Sequence, residues 1–158
     1  MSDPAPLVGV LAASPSELGV LQQAGAILEK FAIPHEIRVM SSSRNPDLAD
    51  EYARTAFERG LKVIICTTGI SGHLAAAIAA RTVLPVIGVP IVSPPQMDGR
   101  EALAITAQMP SGVPVATVGV DAGVNAAVLA TQIIAVGDPD VQQRLWRFKD
   151  DLAEGLRL

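Results

Sequence analysis

A chain of 158 residues is long enough for a single domain, residues 1–158, with its own hydrophobic core. Apolar residues make up 49% and charged residues only 18%, which excludes disorder and leads us to expect partner subunits over part of the exterior. The net charge of −4, with no basic tract, argues against nucleic-acid binding, and every apolar run is broken well short of a membrane span.

In chain order, Met1 to Pro6 lacks a basic region followed by a long apolar stretch, so no secretory leader is expected. Val8 to Ala12 reads as a first buried strand. Ser16 to Phe31 reads as a helix with Leu18, Leu21, Gly25 and Leu28 on one face. His35 to Met40 is a second strand. Pro46 to Arg59 is a second helix, in which the spacing of Leu48, Tyr52, Ala56 and Arg59, with Ala53 and Phe57, makes an apolar stripe, and Gly60 is the stop. Val63 to Thr67 is apolar enough to be buried on both faces of a sheet. A third helix follows over His73 to Ala80, a fourth strand over Pro85 to Val89, and a short helix over Glu101 to Gln108. Val113 to Val118 is the fifth strand and Asn125 to Val136 the next helix. The last helix starts at Pro139 and runs to about Leu156, with Val141, Leu145, Phe148, Leu152 and Leu156 on one face. Cys66 is the only cysteine, which rules out an intrachain disulfide or a multi-cysteine metal site. These features together predict a cytoplasmic protein.

Alternation of strand and helix implies a parallel sheet with helices on both sides. Ligands of such sheets sit beyond the carboxyl ends of the strands, where strand order reverses. Five loops fall there. In Ala13-Ser14-Pro15-Ser16-Glu17 the serines read either as helix caps or as donors to an anion. Glu17 is suited either to accept hydrogen bonds from a sugar or to complement the helix dipole. Ser41-Ser42-Ser43-Arg44-Asn45-Pro46 joins three hydroxyls to a guanidinium, a set that suits phosphate. In the loop Thr67 to His73, Gly69 and Gly72 let backbone approach a ligand closely. His73 opens an apolar helix, where an imidazole is more often structural. Val92 to Arg100, with Ser93, Pro94, Pro95 and Met97, reads as a lid or pocket edge. The fifth loop holds Asp121, Gly123 and Asn125, the last a natural cap for the helix behind it. Cys66, within a buried strand, reads as inert packing.

Taken together, Ala13 to Glu17, Ser41 to Pro46, Gly69 to Ala76, Val86-Ile87-Gly88-Val89-Pro90, Gln108-Met109-Pro110 and Asn125-Ala126-Ala127 resemble the PurE family. These are the carboxyaminoimidazole ribonucleotide mutases and related carboxylases of purine synthesis. The resemblance runs from Val8 into the final helix. It implies a three-layer α/β/α sandwich on a parallel, flavodoxin- or Rossmann-like sheet. It implies a homo-octamer in which the last helix packs on a neighbouring subunit, and no metal or organic cofactor. The implied partners are a phosphorylated ribonucleotide and carbon dioxide or bicarbonate. Substrate and phosphate binding would fall to Ser14, Ser16, Glu17, Ser41, Arg44, Gly69, Ser71 and Gly72, and catalysis to Ser43 and His73.

Several positions depart from the family's pattern. Ser43 stands where the family has a proton-shuttling histidine, and a neutral hydroxyl does not exchange protons near neutrality as imidazole does. Glu17 replaces an aspartate, Ala13 a glycine, and Ala75-Ala76 a Pro-Gly pair. Three readings follow: a mutase or carboxylase in which His73 or water replaces the shuttle, a relative acting on another heterocyclic nucleotide, or a non-catalytic nucleotide-binding protein. The related pyridinium nucleotide carboxylases are precedent for the second, although their catalytic cysteine has no counterpart at Pro110 to Gly112.

Overall fold

The computed structural model describes residues 4–69, 73–93 and 98–158. Ser71 and Gly72, together with Pro94, Pro95 and Met97, lie outside the described residues. The strands are β1 (Val8–Ala12), β2 (His35–Val39), β3 (Val63–Thr68), β4 (Val86–Pro90) and β5 (Ala116–Thr117). The helices are α1 (Leu18–Lys30), α2 (Pro46–Thr55), α3 (His73–Ala79), α4 (Arg100–Ala107), α5 (Gly123–Ala135) and α6 (Pro139–Ala153), with a 3-10 turn at Pro15–Glu17.

All strand pairs are parallel, in the order β2-β1-β3-β4-β5. The chain leaves β1 for one side and then crosses to place β3 on the other. The reversal point therefore lies between β1 and β3, as the flavodoxin-like expectation requires. Every residue of β1, β3 and β4 is buried, which explains their unbroken apolar runs. One face of the sheet, with Val8, Val10, Val63, Ile65, Ile87 and Val89, packs against α1 and α5. The other, with Leu11, Ile64, Cys66 and Val86, is covered by α2 and α3. On that side Thr106 of α4 packs against Gly88, where a side chain would collide with it.

The last helix belongs to the same core. Asp138 caps it by accepting from the backbone N–H groups of Asp140 (3.0 Å) and Val141 (3.1 Å). Val141, Leu145 and Phe148 are buried, and the Phe148 ring meets Phe31 of α1 edge-on at 5.1 Å between centroids. Such a pair contributes about 0.5–1.5 kcal/mol beyond its area.

Three expectations need correction. The fifth strand is two residues long, not six. Pro114 lies inside the expected run and has no N–H to give the ladder, so pairing starts only at Ala116 against Ile87. The second helix ends at Thr55 and reaches Gly60 (φ 95°) through a turn. Its Leu48 and Phe57 are exposed, and the buried face is Ala49, Tyr52, Ala53 and Ala56. The alanines let the helix lie close to the sheet, and Tyr52 occupies the space that a side chain at Gly9 would fill. Finally, α5 starts at Gly123, so Asn125 is an exposed first-turn residue and not a cap. The chain turns sharply at Asp121 (φ 53°) and enters α5 with Gly123 hard against the Val20 carbonyl of α1, leaving no room for a Cβ.

Candidate active site

Four strand ends converge on a cleft of about 500 Å³. It is lined by Ala13, Ser14, Ser16 and Glu17 after β1, Ser41, Ser43 and Arg44 after β2, Gly69 after β3, and Ile91, Val92 and Ser93 after β4. Of the site residues expected from sequence, Ser14, Ser16, Glu17, Ser41, Ser43, Arg44 and Gly69 are brought together here. Ser71 and Gly72 lie outside the described residues. His73 is exposed at the first position of α3 and is not among the described lining residues. The only other histidine, His35, starts β2 at the opposite end of the sheet, its Nδ1 3.1 Å from the Ile33 carbonyl.

The first two loops are built by their own side chains. Ser14 caps the 3-10 turn, accepting from Ser16 N–H at 3.2 Å, and the two hydroxyl oxygens lie 2.6 Å apart. Asn45 Oδ1 accepts from Ser41 N–H at 2.7 Å. Ser41 Oγ in turn accepts from the N–H groups of Ser43 (3.3 Å) and Arg44 (3.2 Å). Ser41 thus holds the second loop while its O–H remains able to donate. Arg44 reaches across to the first loop, donating from Nη2 to the Ala13 carbonyl at 2.7 Å. That bond anchors the guanidinium at the cleft, and among the described residues its other N–H groups are left available to a ligand.

Glu17 turns inward. Its Oε2 accepts from Ala13 N–H at 3.0 Å and from the Thr67 hydroxyl. A Cβ at Gly69 would stand 2.9 Å from Glu17 Oε1 and 3.5 Å from Ser93 Oγ, so glycine there is what lets the third loop pass beside the carboxylate. The fourth loop is steered by Asp121, whose Oδ1 accepts from Val92 N–H at 3.2 Å while its own N–H donates to the Pro90 carbonyl at 2.8 Å. A buried hydroxyl pair, Thr68 and Thr106 at 2.6 Å, joins the end of β3 to α4. Sequence alone does not assign these duties to Thr67 and Asp121. The sequence signal was present for one of them: two threonines end a strand otherwise made of Val, Ile and Cys.

Cys66 is fully buried and burial pushes its thiol up, as inert packing requires. The strongest electrostatic cluster lies away from the cleft. Glu36 on β2 accepts from Tyr52 (2.7 Å), Arg38 (3.0 Å) and Arg59. Burial opposes its charge, but those three donors outweigh burial and hold its carboxyl below the usual range. Tyr52 is pushed up, chiefly by burial and then by the Glu36 carboxylate. Among the described residues no cluster of three or more His, Cys, Asp or Glu is placed to hold a metal ion. No described helix is long and apolar enough to cross a membrane.

The sequence matches the AIR carboxylase family over residues 7–155. It is 46% identical over 152 residues to an N5-carboxyaminoimidazole ribonucleotide mutase of Pyrococcus horikoshii, covering 96% of this chain and 85% of that protein. A protein of the same description from Synechocystis is 41% identical over 152 residues, with 96% and 86% covered. A phosphoribosylaminoimidazole carboxylase of Schizosaccharomyces pombe is 42% identical over 149 residues, 94% of this chain but 27% of that longer protein. The fold is also that of Treponema denticola PurE, with TM-score 0.80 at 24% identity over 94% of this chain and 92% of that one. A Treponema denticola PurE2 variant gives TM-score 0.85 at 22% identity, covering 96% and 93%.

Proposed function

The chain belongs to the AIR carboxylase family, and from that premise we propose that it moves, adds or removes a carboxylate on an aminoimidazole ribonucleotide in purine synthesis. The observation that carries this reading is the convergence of Ser14, Ser16, Ser41 and Arg44 on one cleft at the switch point of the sheet. Hydroxyls and a guanidinium brought together from separate loops suit a phosphate monoester. Glu17 takes hydroxyls of the sugar. Backbone at Gly69 lies along the heterocycle.

In the mutase direction the substrate carries its carboxylate on the exocyclic nitrogen. The C–N bond breaks, carbon dioxide is released into the cleft and the nitrogen gains a proton. A ring carbon then attacks the trapped carbon dioxide and gives up its own proton. Enclosure by the loops keeps carbon dioxide close enough for recapture. Ser43 positions the reacting amine or a water, because its hydroxyl is a poor proton carrier at neutral pH. Proton transfer falls to His73, the one imidazole at this end of the sheet, or to water held by Ser43.

The reading extends to assembly. Trp146 is 66% exposed and Val136 89% exposed beside a groove between α5 and α6 lined by Ala135 and Leu145. Large apolar groups so placed support packing of the last helix on a neighbouring subunit, within a homo-octamer. A cytoplasmic location accords with purine synthesis.

The direct test supplies the purified protein with carboxyaminoimidazole ribonucleotide and follows appearance of the carbon-carboxylated isomer. Turnover is expected, and complete inactivity despite nucleotide binding would overturn the mutase reading. Ser43 gives a second reading its footing: a relative acting on another heterocycle. Turnover gained only in Ser43→His would favour that one.

A further inference from the structure

We propose that Thr67 is a positioning residue: it clamps the Glu17 carboxylate in one orientation and so sets the cleft's selectivity for a sugar bearing free hydroxyls. This rests on the ribonucleotide reading above and names a residue that reading does not require.

Thr67 is fully buried near the end of β3. A hydroxyl buried there is costly unless paired, and valine would fill the same space in the sheet. Among the described residues, the partners of its hydroxyl all belong to the end of β1 and the loop after it. Thr67 Oγ1 lies 3.5 Å from the Leu11 carbonyl, 3.2 Å from Ala13 N, and in closer contact with Glu17 Oε2. The hydroxyl has one hydrogen, and the nearby carboxylate is a stronger acceptor than the distant carbonyl. The Thr67 proton therefore goes to Glu17. Ala13 N–H, shared between Thr67 Oγ1 and Glu17 Oε2, completes the clamp.

The consequence falls on the other carboxylate oxygen. With Oε2 taken by two donors, Oε1 is held beside Gly69, which lines the cleft. A glutamate has three side-chain torsions, and unclamped it would lose rotamer freedom on each binding event. Clamped, it presents one fixed acceptor. A fixed anionic acceptor rewards a ligand hydroxyl and penalises its absence, since the oxygen is then left facing a group that cannot donate.

The test measures affinity for aminoimidazole ribonucleotide and for its 2′,3′-dideoxy counterpart in the full-length protein. The wild type should prefer the hydroxylated form by about tenfold or more. Thr67→Ser, which keeps the hydroxyl, should retain most of that preference. Thr67→Val, equal in shape, should bind the hydroxylated form more weakly and the dideoxy form unchanged, so the ratio falls towards one. Thr67→Ala provides the same comparison should the valine variant fail to fold. A merely structural role would weaken both ligands alike. An unchanged ratio in a folded variant lacking the hydroxyl, or equal loss for both ligands, overturns the proposal. No wild-type affinity for either ligand instead removes the ribonucleotide reading, and the clamp's role with it.

Discussion

Replacing Arg44 with alanine isolates the phosphate contact from the rest of the fold. The side chain is exposed, and its one bond among the described residues is from Nη2 to the Ala13 carbonyl at 2.7 Å. Two N–H groups of the remaining fork suffice for a bidentate phosphate contact. Hydrogen bonds to charged groups contribute about 1.5–3 kcal/mol each, and an exposed site puts these near the lower end. The paired contact should therefore cost about 2–3 kcal/mol when removed, a weakening of about 30- to 150-fold. Calorimetric titration with aminoimidazole ribonucleotide measures it directly. Arg44→Lys should fall between wild type and Arg44→Ala, because it keeps the charge and loses the fork. Thermal unfolding is expected to change little, since the backbone N–H of residue 44 still reaches Ser41 Oγ. Unchanged affinity in folded Arg44→Ala would refute the phosphate role.

Two further substitutions probe the site and the framework. Gly69→Ala should lower ligand affinity about tenfold with the fold intact, because its methyl would stand 2.9 Å from a Glu17 oxygen that Thr67 and Ala13 prevent from yielding freely. Titration beside a melting curve checks it, and wild-type affinity would show that the carboxylate is free to move. Glu36→Gln should cost about 1–3 kcal/mol at neutral pH and progressively less in acid. The folded carboxyl is held down, so its stabilisation is full above the unfolded carboxylate range and is lost as pH falls through the lower folded value. Urea unfolding of both proteins at neutral and acid pH tests this, and a gap that does not narrow in acid would contradict it.

The parts of this molecule that could be read from the chain are those set by local pattern and burial. The strands β1, β3 and β4 are short apolar runs because both their faces are covered, and that condition leaves a direct trace in composition. The loops following β1 and β2 were legible as a site because hydroxyls and an arginine interrupt those runs. Pro114 carried the information that β5 is short, and it was outweighed by the valines around it. The exposure of Leu48 and Phe57 was not legible, because which side of α2 meets the sheet depends on Tyr52 fitting over Gly9, a contact between distant parts of the chain. Glu17 and Thr67 are separated by 50 residues, and only parallel pairing of β1 with β3 places one hydroxyl under the other's carboxylate.

The two margins of the sheet differ in what they offer an incoming strand. At β5 only Ala116 and Thr117 pair with β4, Val118 adds a single N–H bond to the Gly88 carbonyl, and Pro114 just ahead of them has no amide hydrogen to donate. A foreign backbone laid along that margin would find too few groups to template its own extension. At β2 the free side is longer, but Glu36 and Arg38 interrupt it with charge. Fibril-like growth by adding strands to a sheet edge is therefore disfavoured at both ends.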